Sequence, residues 1–174
     1  GAARRSLEPA PKVRAKPVPA PQGGARELGT KRPGGLTAAQ QARLIAAALA
    51  ARQQAYAPYS RFAVGAALMD ERGRIHRGCN VENAAYPLGT CAEAGALAAL
   101  VLAGGRRIRA VAVAGEAPQP VTPCGGCRQK LREFGAGDIP VLSADASGLR
   151  ARHTLADLLP ASFGPEHLGA GDTA

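Results

Sequence analysis

Three cysteines and one glutamate carry the chemistry of this chain. They stand in two short runs, Thr90-Cys91-Ala92-Glu93 and Pro123-Cys124-Gly125-Gly126-Cys127. The second run sets two thiols two residues apart, a common zinc-ligand spacing. The first supplies a third thiol and, two positions on, a carboxylate. Three protein ligands leave a tetrahedral zinc one open position, which is where catalytic sites hold water. A carboxylate that is not a ligand can carry that water's protons. The pattern predicts a hydrolytic Zn²⁺ site with Cys91, Cys124 and Cys127 as ligands and Glu93 as proton carrier. A structural zinc needs a fourth protein ligand, and Cys79 is the one cysteine left over. Its place at an expected strand end suits a small buried apolar group. A redox CxxC leaves Cys91 and Glu93 without a purpose. His76, His153 and His167 have no ligand spacing to the cysteines and are expected at the surface.

The elements around these residues must bring the two runs together. Cys91 and Cys124 are both expected at helix starts, where free N–H groups and the helix dipole favour thiolates. One helix is predicted from Cys91 to Ala103, closed by Gly104, and another from Cys124 to Phe134. Thr37 and Gln40 fit a capping box opening an earlier helix that Pro58 stops. Phe62, Val64, Ala66 and Leu68 alternate as a half-buried strand does, and 70–73 reads as a turn into a returning strand over 74–79. Residues 108–114 form a continuous apolar run suited to a central strand, and 139–142 a short strand. One or two helical turns are expected over 154–159. The order predicts a three-layer α/β/α domain around a mixed sheet of about five strands.

Bulk properties narrow the class. The chain has 174 residues, 46% hydrophobic and 3% aromatic, so its core must be built largely from Ala, Leu and Val. The formal charge of +9 is uneven: residues 1–35 hold eight basic and two acidic side chains, which is +6, leaving +3 for the rest. That segment, with six prolines, is expected to be a disordered basic arm, followed by a catalytic domain over 36–168 and a flexible tail over 169–174. The arm lacks aromatic residues interleaved to stack bases, so a nucleic-acid partner is not expected. No apolar run suits a membrane span, and the N-terminus lacks the order of a secretory signal. Thiols in a metal-binding pattern favour a reducing, cytoplasmic setting.

The runs 56–68 (YAPYSRFAVGAAL), 78–86 (GCNVENAAY), Cys91-Ala92-Glu93, 123–129 (PCGGCRQ) and 158–165 (LLPASFGP) together resemble the small homotetrameric zinc-dependent cytidine deaminases. The deaminase signature H-x-E…P-C-x-x-C has a form with three Cys ligands, and this chain carries that form. The resemblance implies hydrolysis of cytidine and deoxycytidine to the uridine products and ammonia, with zinc on Cys91, Cys124 and Cys127 and proton shuttling by Glu93. It places Asn80 and Glu82 on the ribose 3′-hydroxyl and Phe62 against the pyrimidine. It also places Tyr86, Ala92 and Phe163 at the substrate, Phe163 in a neighbouring subunit of a homotetramer, and Gln129 on a ligand thiolate. Many members carry Arg where this chain has Ala94; the helix starts, Gln129 and Arg128 are expected to compensate. Two other readings are a deaminase of a modified cytosine nucleoside such as blasticidin S, and a structural-zinc protein that binds nucleic acid.

Overall fold

Thr37 opens the first helix, α1 (Ala38–Arg52), through the expected capping box. Its hydroxyl accepts from the Gln40 N–H at 3.1 Å, and the Gln40 side chain accepts from the Thr37 N–H at 3.0 Å. The structure, a computed structural model, describes residues 35–168, so the expectations for the arm before Gly35 and the tail after Leu168 lie outside the described residues. The helix ends at Arg52, well before Pro58. The chain leaves it because Tyr56 is recruited elsewhere, donating its N–H to Asn80 O while its own carbonyl accepts from Glu82.

β1 (Val64–Asp70) and β2 (Ile75–Cys79) form the predicted antiparallel hairpin. β3 (Ile108–Gly115) lies antiparallel on the other side of β1, β4 (Pro140–Asp145) runs parallel to β3, and β5 (Gly148–Thr154) closes the far edge antiparallel to β4. The sheet order is β2-β1-β3-β4-β5, which places β3 centrally as expected. The remaining helices are α2 (Ala92–Leu102), α3 (Gly125–Arg132) and the single turn α4 (Leu155–Leu158). No helix among the described residues is long and apolar enough to cross a membrane.

Two apolar clusters show the three layers. On one face Ala66, Leu68, Val111, Val113 and Val141 pack with Ala96, Leu100 and Leu131 of α2 and α3. On the other, Ala67, Met69, Ala110, Ala112 and Ala114 pack with Leu44, Ile45 and Ala48 of α1. β1 therefore buries both faces, which corrects the half-buried expectation. Its alternation separates two helix layers rather than core from water. β5 has no counterpart among the predicted strands. Its Arg150, Arg152 and His153 suit an exposed edge and mask the apolar signal.

Two glycines set how closely the helices approach. A Cβ at Gly65 would lie 2.1 Å from Ala48 O, and one at Gly78 would lie 2.3 Å from both Ala92 O and Ala96 N. The start of α2 therefore rests directly on the β2 backbone. Gly78→Ala should cost about 3 kcal/mol by overpacking and lower zinc retention, because it displaces the turn that follows Cys91. Thermal unfolding with metal analysis checks this, and wild-type stability would contradict it.

His76 is 8% exposed, which overturns its surface expectation. Its Nε2 lies 2.9 Å from Asp70 Oδ2, which also accepts from Arg74 Nε at 2.7 Å. Asp70 Oδ1 accepts the Arg72 and Arg74 N–H groups, each at 2.9 Å. Burial raises the Asp70 carboxyl, but these donors outweigh it and hold it far below the usual carboxylate range. The lowered folded value means this stability is complete above the ordinary Asp pKa of about 4 and is lost as pH falls towards the folded value. Asp70→Asn should lose about 3 kcal/mol near neutrality, the cost of breaking a buried pair. It should also flatten the acid dependence, as urea unfolding at neutral and acid pH will show.

Candidate active site

Cys91 and Cys124 are the residues immediately before α2 and α3, both in extended backbone. Such N-cap positions usually carry an oxygen that accepts from the first turn. Here sulfur takes that place, and neither side chain makes a capping hydrogen bond of normal geometry. The sulfurs meet each other instead, with Cys91 Sγ and Cys124 Sγ 3.9 Å apart. Cys127, in the first turn of α3, is 1% exposed, and all three sulfurs lie within 4.8 Å of one another. Two thiolates on a tetrahedral zinc with Zn–S bonds of about 2.3 Å would be about 3.8 Å apart. The separation of the free thiols is already that of a zinc-bound pair.

Glu93 lies in the first turn of α2 and is buried. Its Oε2 accepts from Cys127 Sγ at 3.4 Å. Burial first, then the Glu93 charge and the neighbouring sulfurs, push the Cys127 thiol far above its ordinary range. Burial also raises Cys91, against some relief from Cys127. Cys124 moves the other way: burial opposes its ionisation, but the Cys127 N–H and the two neighbouring thiols outweigh it. Three sulfurs and a carboxylate in one place resist ionising together, and a divalent cation removes that resistance. The soft donor set suits zinc. Cys79 Sγ donates to Gln54 O at 3.4 Å and is not in the cluster, so no fourth cysteine joins it.

A short ladder joins the next residues to this centre. Val81 and Thr90 exchange both main-chain hydrogen bonds at 2.9 Å, which places the Asn80–Glu82 segment beside the residue preceding Cys91. Asn80 Oδ1 accepts from the Val64 N–H at 2.8 Å, and its Nδ2 donates to Phe62 O at 2.9 Å. Glu82 accepts from the N–H groups of Tyr59 and Ser60 and from the Ser60 hydroxyl. Those bonds, with burial opposing them, lower the Glu82 carboxyl. Both side chains thus anchor the loop that presents Phe62. Phe62 itself is outside β1 and 40% exposed, so it is not the core residue that alternation suggests. Tyr86 is 76% exposed, with its ring centroid 5.9 Å from that of Tyr59. These two tyrosines, Ser60, Glu82, Asn83 and Gly89 line an open cavity of about 270 Å³.

Three expected residues differ in detail. Ala92 is 1% exposed, with its methyl packed inside the core rather than in the open cavity. Gln129 Nε2 donates to Phe163 O at 3.0 Å, in place of the expected thiolate contact. Arg128 is engaged with oxygen acceptors. Cys124 is lowered by the first turn of α3 and its neighbouring thiols, whereas Cys91, at the other helix start, is raised by burial. The sequence does not point to Tyr59 and Ser60 as partners of Glu82; a Ser in a turn before Phe62 is the one signal for them.

Comparison with known proteins agrees with this geometry. Residues 38–143 match the model of the cytidine and deoxycytidylate deaminase zinc-binding region. The chain is 47% identical over 126 residues to a cytidine deaminase of Sporosarcina psychrophila, covering 72% of this chain and 93% of that protein. It is 43% identical over 125 residues to that of Halalkalibacterium halodurans, covering 72% and 95%. The crystal structure of cytidine deaminase from Burkholderia pseudomallei superposes with a TM-score of 0.66 at 45% identity, covering 74% of this chain and 100% of that one. With three thiols grouped at two helix starts, a buried carboxylate among them and these relatives, the chain belongs to the cytidine and deoxycytidylate deaminase zinc-binding family.

Proposed function

We propose that this protein is a zinc-dependent hydrolase that deaminates cytidine and deoxycytidine to uridine and deoxyuridine, releasing ammonia in pyrimidine salvage. The observation that carries it is the buried Glu93 carboxylate 3.4 Å from the Cys127 sulfur, inside a cluster of three thiols. Zinc held by Cys91, Cys124 and Cys127 supplies a Lewis acid that makes water nucleophilic near neutral pH. Glu93 takes one proton from the attacking water and gives it to the ring nitrogen, then carries the second, from the hydroxyl added at C4, to the departing amine. Oxygen adds at C4, the C4–N bond breaks and ammonia leaves, so cytidine plus water balances uridine plus ammonia.

Phe62 stacks on the pyrimidine, Asn80 and Glu82 take the ribose 3′-hydroxyl, and Tyr86, Phe163 and the Ala92 main chain complete the substrate's surroundings. Supporting this, the Val81–Thr90 pairing ties the ribose segment to the ligand segment. The catalytic unit is residues 36–168, working in the cytoplasm as a homotetramer. Tyr86, Leu88 and Phe163, all more than half exposed in one chain, give assembly something to bury.

The test is ammonia release from a panel of cytidine, deoxycytidine, blasticidin S and a cytosine oligonucleotide, with sedimentation of the same sample. Turnover of the two simple nucleosides by a tetramer is expected. Preference for blasticidin S or the oligonucleotide would overturn the substrate assignment, and an active monomer would remove the tetramer.

A further inference from the structure

Arg128 follows Cys127 on α3, and its side chain folds back over the segment that enters the helix. Nε donates to Pro123 O at 2.7 Å, Nη2 to Thr122 Oγ1 at 3.0 Å and Nη1 to Leu158 O at 2.8 Å. One planar head thus joins three acceptors from two separate stretches: the residues leading into Cys124, and the last residue of α4. Residues 116–124 contain no helix or strand, so no sheet ladder holds Cys124 in place. The neighbouring side chains of α3 act differently. Gln129 binds Phe163 O, and Arg132 binds Ser162 Oγ at 3.0 Å and Glu166 at 2.5 Å. Both hold the C-terminal stretch without these contacts to Thr122 and Pro123.

We propose that Arg128 is a positioning residue for the metal centre. Its guanidinium clamps the 122–124 segment against the end of α4 and so keeps the Cys124 sulfur in register with Cys127 and Cys91. The assignment rests on the reading of these three cysteines as zinc ligands. A lysine cannot replace it, because a single ammonium cannot serve three acceptors fixed in one plane on two segments. Losing the clamp leaves the Pro123 carbonyl and the Thr122 hydroxyl unpaired and lets the ligand loop drift, while the sulfurs themselves remain.

The experiment measures zinc release from the purified holoenzyme to excess chromogenic chelator, together with kcat and KM under saturating zinc. Arg128→Met and Arg128→Lys should both release zinc about tenfold faster or more, the scale found when a ligand's supporting partner is lost. Under saturating zinc, kcat should fall with KM little changed. Arg132→Met, which loosens only the C-terminal stretch, should release zinc at the wild-type rate. Folded Arg128→Met with wild-type release would overturn the proposal, as would equal acceleration by Arg132→Met or full rescue by lysine. If the Arg128 variants do not fold, Thr122→Val removes one acceptor alone; faster release there supports the clamp and unchanged release overturns it. A wild-type protein without zinc would overturn the ligand assignment instead, so the two failures are distinguishable.

Discussion

Glu93→Gln should keep a full complement of zinc and lose nearly all ammonia release from cytidine. Glutamine matches glutamate in shape, so the packing of the first turn of α2 is unchanged. The metal does not depend on this side chain, since the clustered donors are the three sulfurs. What the amide cannot do is accept a proton and return it. Positioned proton transfer is worth about 10²–10⁴-fold in rate, and Glu93 is proposed to perform it more than once per turnover. The loss should therefore reach at least the upper part of that range and fall on kcat. Metal analysis beside a steady-state assay decides it: retained turnover removes Glu93 from the mechanism, and lost zinc makes it a ligand or a structural support.

Cys127→Ala should abolish both zinc binding and activity. Cys127 is the most enclosed of the three sulfurs, 1% exposed in the first turn of α3, and among the described residues no fourth cysteine or histidine joins its cluster. Two thiols cannot supply the ligand set that zinc sites require. Cys79→Ala is the matched control. Its sulfur faces Gln54 O, so zinc content and turnover should stay at wild-type levels. Atomic absorption on both variants separates the outcomes; zinc retained by Cys127→Ala at wild-type affinity would mean that another group completes the site.

Much of the scaffold could be read from the chain because its signals are local. The capping box at Thr37, the turn over 70–73, the apolar run of β3 and the helix starts at Cys91 and Cys124 each depend on a few neighbouring residues, and each recurs in the structure. The misreadings share a cause as well. β5 escapes a reading of the chain because an edge strand carrying Arg150 and Arg152 shows no apolar period. His76 reads as a surface residue because nothing in its own segment reveals that its ring meets the buried Asp70 carboxylate, which Arg74 shares. Phe62 alternates with β1 in sequence, yet it falls in the loop held by Asn80 and Ser60.

The sequence by itself determined the chemistry of the centre: which atoms are soft donors, that there are three of them in the two runs, and that a carboxylate stands one turn into the first helix. These follow from residue type and short spacing, the carboxylate being Glu93 in the first turn of α2. The tertiary structure decided what lies around that chemistry. It placed the Cys91 and Cys124 sulfurs 3.9 Å apart, set Asn80–Glu82 beside Thr90, and gave Gln129 and Arg128 carbonyl partners rather than thiolates. The reason is that long polar side chains choose partners by what packing brings within a hydrogen bond's length, and neighbours from distant segments exist only once the layers have closed.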